Sequence, residues 1–288
     1  MSIPPPDLSL IDTHCHLDVA AFDPDRAAVL MRARAAGVGA IVVPAIAAAD
    51  WDRLLACCAR YPDLYPALGL HPVALARHRD ADLDLLEQRL AATDRARHLV
   101  AVGEIGLDFH PQVLQADSTP AAAAAARQRG LFVRQLAMAQ AARLPVLLHV
   151  RKAHDEVIAA LRRARFSAGG IVHAFNGSAG QAKHYLNLGF CLGFGGMLTF
   201  ERSTRLRRLA ATLPATALVL ETDAPDLTVA SHRYQRNSPE YLPEILAALA
   251  AVRGAAPASV AAQTSANARA LLRLPGAGAR AAAGDCWT

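Results

Sequence analysis

At 288 residues the chain is long enough for one large domain of the α/β-barrel kind, which commonly takes about 250 residues. With 53% hydrophobic and 19% charged residues it can bury a full core, which excludes a disordered protein. The formal charge of +5 suits a polyanionic partner as readily as it suits an ordinary enzyme surface.

Short apolar runs alternate with helical segments along the chain. Strands are expected at Leu10–His14, Ala40–Pro44, Leu64–Leu70, Leu99–Ile105, Pro145–Val150, Gly170–Ala174, Phe190–Phe194 and Ala217–Glu221. Their continuous apolar character, without polar alternation, fits strands buried on both faces of a parallel sheet. Arg26–Ala36 reads as a helix capped by Gly37, and Leu131–Arg143 carries apolar residues at helical spacing before Leu144-Pro145 opens the next strand. Eight such alternations predict an α/β fold of the (β/α)8 TIM-barrel type over residues 1–274, followed by a loose Gly/Ala-rich tail over 275–288. An open doubly wound sheet is the other reading, although no Gly-rich nucleotide loop is present.

Two stretches interrupt the rhythm. Pro111–Ala126 begins as a loop before turning helical, and Pro225–Pro239 is rich in polar and turn residues. Both follow the C-terminal end of a strand, where such barrels carry their active sites. The arginines at 162, 163 and 165, and at 205, 207 and 208, read as solvated helix faces rather than a nucleic-acid track. Five cysteines, odd in number and without a C-x-x-C spacing, exclude a disulfide framework or a zinc ribbon and point to a reducing, cytoplasmic setting. No apolar run approaches the ~20 residues of a membrane span, the start lacks the features of a signal peptide, and no obligate protein partner is evident.

The chemistry gathers at strand ends. Asp12-Thr13-His14-Cys15-His16-Leu17-Asp18 closes the first strand, and residues two apart on an extended chain point the same way, so His14 and His16 can share one metal. A His-x-His alone is equally well a pair of core or surface histidines; the flanking acids strengthen the ligand reading by offering to orient the rings. Glu104 sits in the apolar run of the fourth strand, where a buried carboxylate needs a partner. His149 and His173 end the fifth and sixth strands at matching positions, and Asp223 follows the eighth. Each has a bland reading, as a hydrogen-bonded core residue or a turn cap. Together, mixed imidazole and carboxylate ligands suit zinc, manganese, iron or magnesium rather than copper.

At these positions the sequence resembles the TatD family of metal-dependent hydrolases, and in particular its YjjV-like bacterial branch. The motifs that carry the resemblance are IDTHCHLD at 11–18, GLHP at 69–72, AVGEIGLDF at 101–109, PVLLHVRKAHD at 145–155, VHAFNGS at 172–178, LETDAPDL at 220–227 and RNSPEYLP at 236–243. The resemblance implies two divalent cations (magnesium, manganese or zinc): His14, His16 and Asp223 hold one, Glu104 bridges to the second, and His149 and His173 complete it. It also implies hydrolysis of DNA phosphodiester bonds from a single-stranded or 3′ end. Asp223 is then expected to accept a proton from the attacking water, and Glu104 to hold the metals at their working separation. His71 would touch a phosphate oxygen or the leaving group, with Arg151 and Asn176 as substrate contacts. Phe109, Phe175, Tyr234 and Tyr241 are the aromatics on which bases can stack.

The departures from the family pattern, Val150, Gly130 and Leu272, touch no expected ligand. Related barrels that hydrolyse small esters, lactones or amides often bridge their metals with a modified lysine on the fourth strand. Here that place holds Glu104, and the two lysines, Lys152 and Lys183, lie elsewhere. Small-molecule hydrolysis and a non-catalytic nucleic-acid-binding scaffold stand as the alternatives.

Overall fold

The structure is a computed structural model that describes residues 9–92, 99–116 and 119–275. The expected tail, apart from Pro275, lies outside the described residues. Eight strands run in chain order in one sheet: β1 Leu10–Asp12, β2 Val38–Pro44, β3 Leu64–Leu68, β4 Ala101–Asp108, β5 Val146–Arg151, β6 Gly170–Val172, β7 Phe190–Phe194 and β8 Leu218–Leu220. The pairings β1–β2 and β3–β4 through β6–β7 are parallel. Strictly sequential order with intervening helices is the (β/α)8 TIM-barrel class; a doubly wound sheet would shuffle the order.

The helices of the described residues are α1 Arg26–Ala35, α2 Trp51–Arg60, α3 Asp80–Ala91, the one-turn α4 Pro111–Leu114, α5 Ala121–Ala142, α6 His154–Arg163, α7 Ala179–Asn187, α8 Thr204–Thr212, α9 Leu242–Arg253 and α10 Pro257–Leu272. Gly37 ends α1 as expected, at φ +88°, a left-handed conformation that costs glycine little. α5 joins the helical end expected of Pro111–Ala126 to the helix expected at Leu131–Arg143, with the six alanines after Pro120, the strongest helix formers available, carrying its first turns. β1, β6 and β8 are shorter than expected, since the chain leaves the ladder where the polar terminal residues begin.

The chain divides into two compact units. One comprises Met1–Val43, Ala56–Tyr65 and Gly193–Thr288. Within it β8 lies against β1, through Thr13 N donating to the Leu220 carbonyl at 3.0 Å and Asp223 N donating to the His14 carbonyl at 2.8 Å. Its core joins Leu10, Ile11, Ile41, Val42, Val219 and Leu220 to Leu30 of α1, Ile245 and Leu249 of α9 and Ala261 and Ala268 of α10, all buried. Each buried branched side chain contributes about 1.5–3 kcal/mol. The second unit comprises Pro44–Leu55 and Pro66–Leu192. There α5 packs on β4, and two of its buried glutamines reach past the apolar layer to backbone at or just beyond strand ends. Gln135 accepts from Leu70 N at 2.7 Å and donates to the Leu70 carbonyl at 3.3 Å. Gln128 does the same for Asp108, at 2.8 and 3.0 Å.

Candidate active site

In the first unit, β1 delivers His14 and His16 just past its last residue, and β8 delivers Asp223. His14 Nε2 lies 3.4 Å from His16 Nε2 and 3.7 Å from Asp223 Oδ1, and His16 Nε2 lies 3.8 Å from the same oxygen. Three donors this close, aimed at one point, match the spacing of neighbouring ligands around a single ion whose N and O ligands sit at about 2.0–2.2 Å. Asp223 occupies the left-handed region at φ +60°, which an aspartate tolerates better than most residues, and its amide is fixed by the His14 carbonyl.

Beneath these three residues Asp12 is fully buried. Its carboxylate accepts from Thr222 Oγ1 at 2.6 Å, Thr222 N at 3.0 Å and His14 N at 3.2 Å. Burial pushes the Asp12 carboxyl up to about 7 despite these bonds, with the nearby Glu221 charge adding to the rise. Asp12 thus clamps the strand ends that carry His14 and Asp223. A flanking acid could orient an imidazole, but Asp12 bonds two backbone amides and a hydroxyl instead. Glu221, also fully buried, fits against Gly193, where an added Cβ would run into its carboxylate.

In the second unit, Glu104 is nearly inaccessible and faces two imidazoles, with His71 Nε2 3.2 Å from Oε2 and His149 Nδ1 3.3 Å from Oε1. A ligand atom of His173, one residue past β6, lies within 4.8 Å of one of Glu104. The crowding is possible because Gly69 lets the third strand pass Glu104 closely: a Cβ there would meet the Gly103 carbonyl carbon at 2.8 Å. His149 Nε2 sits 2.9 Å from Asp108 Oδ2. Burial alone would lower the His149 pKa, but Asp108 and Glu104 together raise it to about 9. Burial pulls Asp108 upward, and His149, the His110 amide and Arg151 more than offset it, leaving the carboxyl below its ordinary value.

His71 has a fixed tautomer. Its Nδ1 accepts from Val73 N at 3.0 Å, so Nε2 carries the hydrogen and points it at Glu104. That state makes His71 a hydrogen-bond donor rather than a metal ligand, although its position beside Glu104 and His149 also fits a three-ligand group. Its backbone carbonyl is held by His78 Nε2 at 2.8 Å; burial lowers the His78 pKa, so the neutral ring donates.

Arg151 ends β5 with its side chain about half exposed and Nη1 4.0 Å from Asp108 Oδ2. Asn176 lies on the surface after β6, its Oδ1 3.0 Å from His154 Nε2, while His154 Nδ1 is 3.2 Å from the Tyr185 hydroxyl. The structure therefore brings His14, His16 and Asp223 together in one group and Glu104, His149 and His71 in another, and attaches Arg151 to Asp108 and Asn176 to His154. Phe175 is 1% exposed and so closed to any base. Asp108 went unassigned from sequence. Its signal was its spacing, four residues after Glu104 and on the same face of one strand.

Fold and donor chemistry together define the class: a (β/α)8-barrel, metal-dependent hydrolase acting on ester bonds, with imidazole and carboxylate donors gathered at strand ends. Residues 11–273 match the family described as TatD related DNase, and the chain belongs to it. It is 42% identical over 243 residues to the uncharacterized metal-dependent hydrolase YjjV of Escherichia coli K12, covering 84% of this chain and 90% of that protein. It is 34% identical over 271 residues to the 3'-5' ssDNA/RNA exonuclease TatD of Klebsiella pneumoniae, covering 92% and 98%. The crystal structure of YjjV from Escherichia coli K12 superposes with a TM-score of 0.85 at 40% identity, covering 92% and 98% of the two chains. Among the described residues no single helix is long and apolar enough to cross a membrane.

Proposed function

We propose that this enzyme is a cytoplasmic 3′-5′ exonuclease that removes nucleotides from single-stranded DNA with the help of two divalent cations. The observation that carries the reading is the donor set: His14, His16 and Asp223 converge within 3.8 Å, and Glu104 is held among imidazoles inside an apolar strand. A carboxylate so deeply buried is costly without strong compensating charge, which cations supply. The names of the TatD relatives support the substrate class. Among the described residues Cys15 and Cys191 are buried thiols outside any disulfide, which supports a reducing compartment.

In this reading His14, His16 and Asp223 would hold one cation, and Glu104, His149 and His173 the other. Magnesium, manganese and zinc all suit this mixture. When bound, such cations lower the pKa of water and neutralise charge on a phosphodiester. The protein's own groups do the rest. Asp223 takes the proton of the attacking water on its carboxylate. His71, whose Nε2 hydrogen rests on Glu104 here, would turn it to a phosphate oxygen or to the departing 3′ oxygen once substrate is bound. Asp108 keeps the His149 ring turned toward Glu104, and Arg151 offers its guanidinium to a phosphate.

The test is cleavage of a 5′-labelled single-stranded oligonucleotide by metal-stripped protein to which magnesium, manganese or zinc is restored separately. Stepwise shortening from the 3′ end that needs metal and disappears in Glu104→Gln, together with loss of bound metal in that variant, is the expected result. Full activity and metal content in Glu104→Gln removes the scheme.

A further inference from the structure

The loops after β7 and β8 carry exposed features that catalysis as described does not use. Both belong to the first unit. Tyr234 is 87% exposed, Leu227 41% and Met197 37%. Two aromatics in the same loops each lie beneath a guanidinium: Arg233 is 4.5 Å from the centroid of Tyr234, and Arg202 is 5.3 Å from that of Phe200.

This exposure belongs to loops that are well fastened. Thr199 Oγ1 donates to the Gly196 carbonyl at 2.7 Å and accepts from Ala230 N at 2.8 Å, tying one loop to the other. Gly196 has no room for a side chain, because a Cβ there would press on the Leu227 carbonyl and the Thr228 backbone. Arg236 makes two bonds to the Asp25 carboxylate, at 2.9 and 2.7 Å, and a third to the Ala21 carbonyl. Asn237 Nδ2 donates to the carbonyls of Thr222 and Asp226 at 2.7 and 2.6 Å. Val229 is fully buried. The loop is a shelf, fixed at both ends and tied in its middle, that holds an aromatic ring out in water.

The shelf is continuous with the ligand cluster. Asp226 N donates to the Asp223 carbonyl at 2.8 Å, Leu227 follows, and the Leu227 carbonyl packs on Gly196 beside Met197. Arg202 and Arg233 are exposed on the shelf, alongside the acids Glu201 and Asp226. Flat rings under exposed guanidinium groups, flanked by apolar side chains, suit unpaired bases strung on phosphates. A duplex would keep its base faces hidden.

We infer that Tyr234, Phe200, Met197 and Leu227 form a stacking platform, with Arg202 and Arg233 as its phosphate contacts, on which the bases of a single strand rest while its end reaches Asp223. This rests on the nucleic-acid reading above and deepens it, since the platform recognises single-strandedness rather than sequence.

The test uses the full chain stripped of metal, so that nothing is cleaved, and a 5′-fluorescein oligothymidine of fifteen residues followed by anisotropy. Tyr234→Ala is expected to weaken binding between about fivefold and a hundredfold, the range for loss of one stacked base, while Tyr234→Phe restores it. Arg202→Ala with Arg233→Ala is expected to weaken binding and to flatten the salt dependence by about 1.4 in the log–log slope, two phosphate contacts' worth. If Tyr234→Ala binds as tightly as the unaltered protein, and metal-loaded unaltered protein still shortens the strand, the platform is overturned and the exonuclease reading stands. If unaltered protein neither binds nor shortens the oligonucleotide, the nucleic-acid reading fails and the platform with it.

Discussion

His149 is held between two carboxylates of a single strand, its Nε2 2.9 Å from Asp108 Oδ2 and its Nδ1 3.3 Å from Glu104 Oε1. The two acids stand four residues apart on β4, so the strand's period of two aims both at the same ring. A carboxylate on the far nitrogen of a ligating imidazole fixes its tautomer and raises its basicity.

Asp108→Asn therefore weakens metal binding by about 10- to 100-fold while leaving the backbone of β4 intact, because the amide keeps the shape but loses the charge. Titration of the metal-stripped variant against a chelating dye reads the affinity. Unchanged affinity would show that His149 is oriented by packing alone.

The same pair sets a pH dependence. With the folded-state pKa of His149 raised to about 9 from an ordinary 6.5, the imidazolium stabilises the metal-free protein. That stabilisation is fully present below about pH 6.5 and is lost as pH rises through about 9. The melting temperature of chelator-treated protein is expected to fall across this window, and the fall to shrink in His149→Asn. Metal affinity runs the other way, rising toward pH 9 because a bound cation must displace that proton. A flat melting profile between pH 6.5 and 9 would contradict the ion pairing.

Much of this was legible in the sequence because it depends on local period. Apolar runs marked the strands, and a histidine or acid ending such a run marked a candidate ligand. What escaped was set by contacts between distant segments. Gln128 and Gln135 look like ordinary polar positions of a helix, yet they serve backbone at or just beyond strand ends, 20 and 65 residues away. The bonding of Asp12 to Thr222 spans 210 residues. Phe175 read as a stacking candidate because its residue type is right, and only packing shows that it is buried, whereas Tyr234 of the same class stands in water. The mixed outcome for Asn176, exposed yet bonded to His154, has the same origin: a turn residue's partner comes from another element.

Thr222→Val tests the clamp under the β1 and β8 ends. Valine keeps the shape but removes the hydroxyl that donates to Asp12 Oδ2 at 2.6 Å, leaving a fully buried carboxyl with two backbone donors. The loss is expected to cost about 1–3 kcal/mol, read as a lower urea midpoint with an unchanged slope. An unchanged midpoint would mean that the two amides satisfy Asp12 by themselves.

Two glycines predict opposite outcomes for one substitution. At Gly193 a Cβ would collide with the carboxylate of fully buried Glu221, which would have to shift within the core, so Gly193→Ala is expected to cost about 1–3 kcal/mol. Gly130 lies on the exposed side of α5 with nothing within 4 Å of an added Cβ. There alanine removes backbone freedom from the unfolded chain and strengthens the helix by about 0.5–1 kcal/mol. For a protein of this size that amounts to a rise of about 1–4 °C in the melting temperature, against a larger fall for Gly193→Ala. Calorimetry of both variants reads the contrast directly. A stabilising Gly193→Ala would show that Glu221 can leave its position, which would loosen the packing assigned to the strand end just before Asp223.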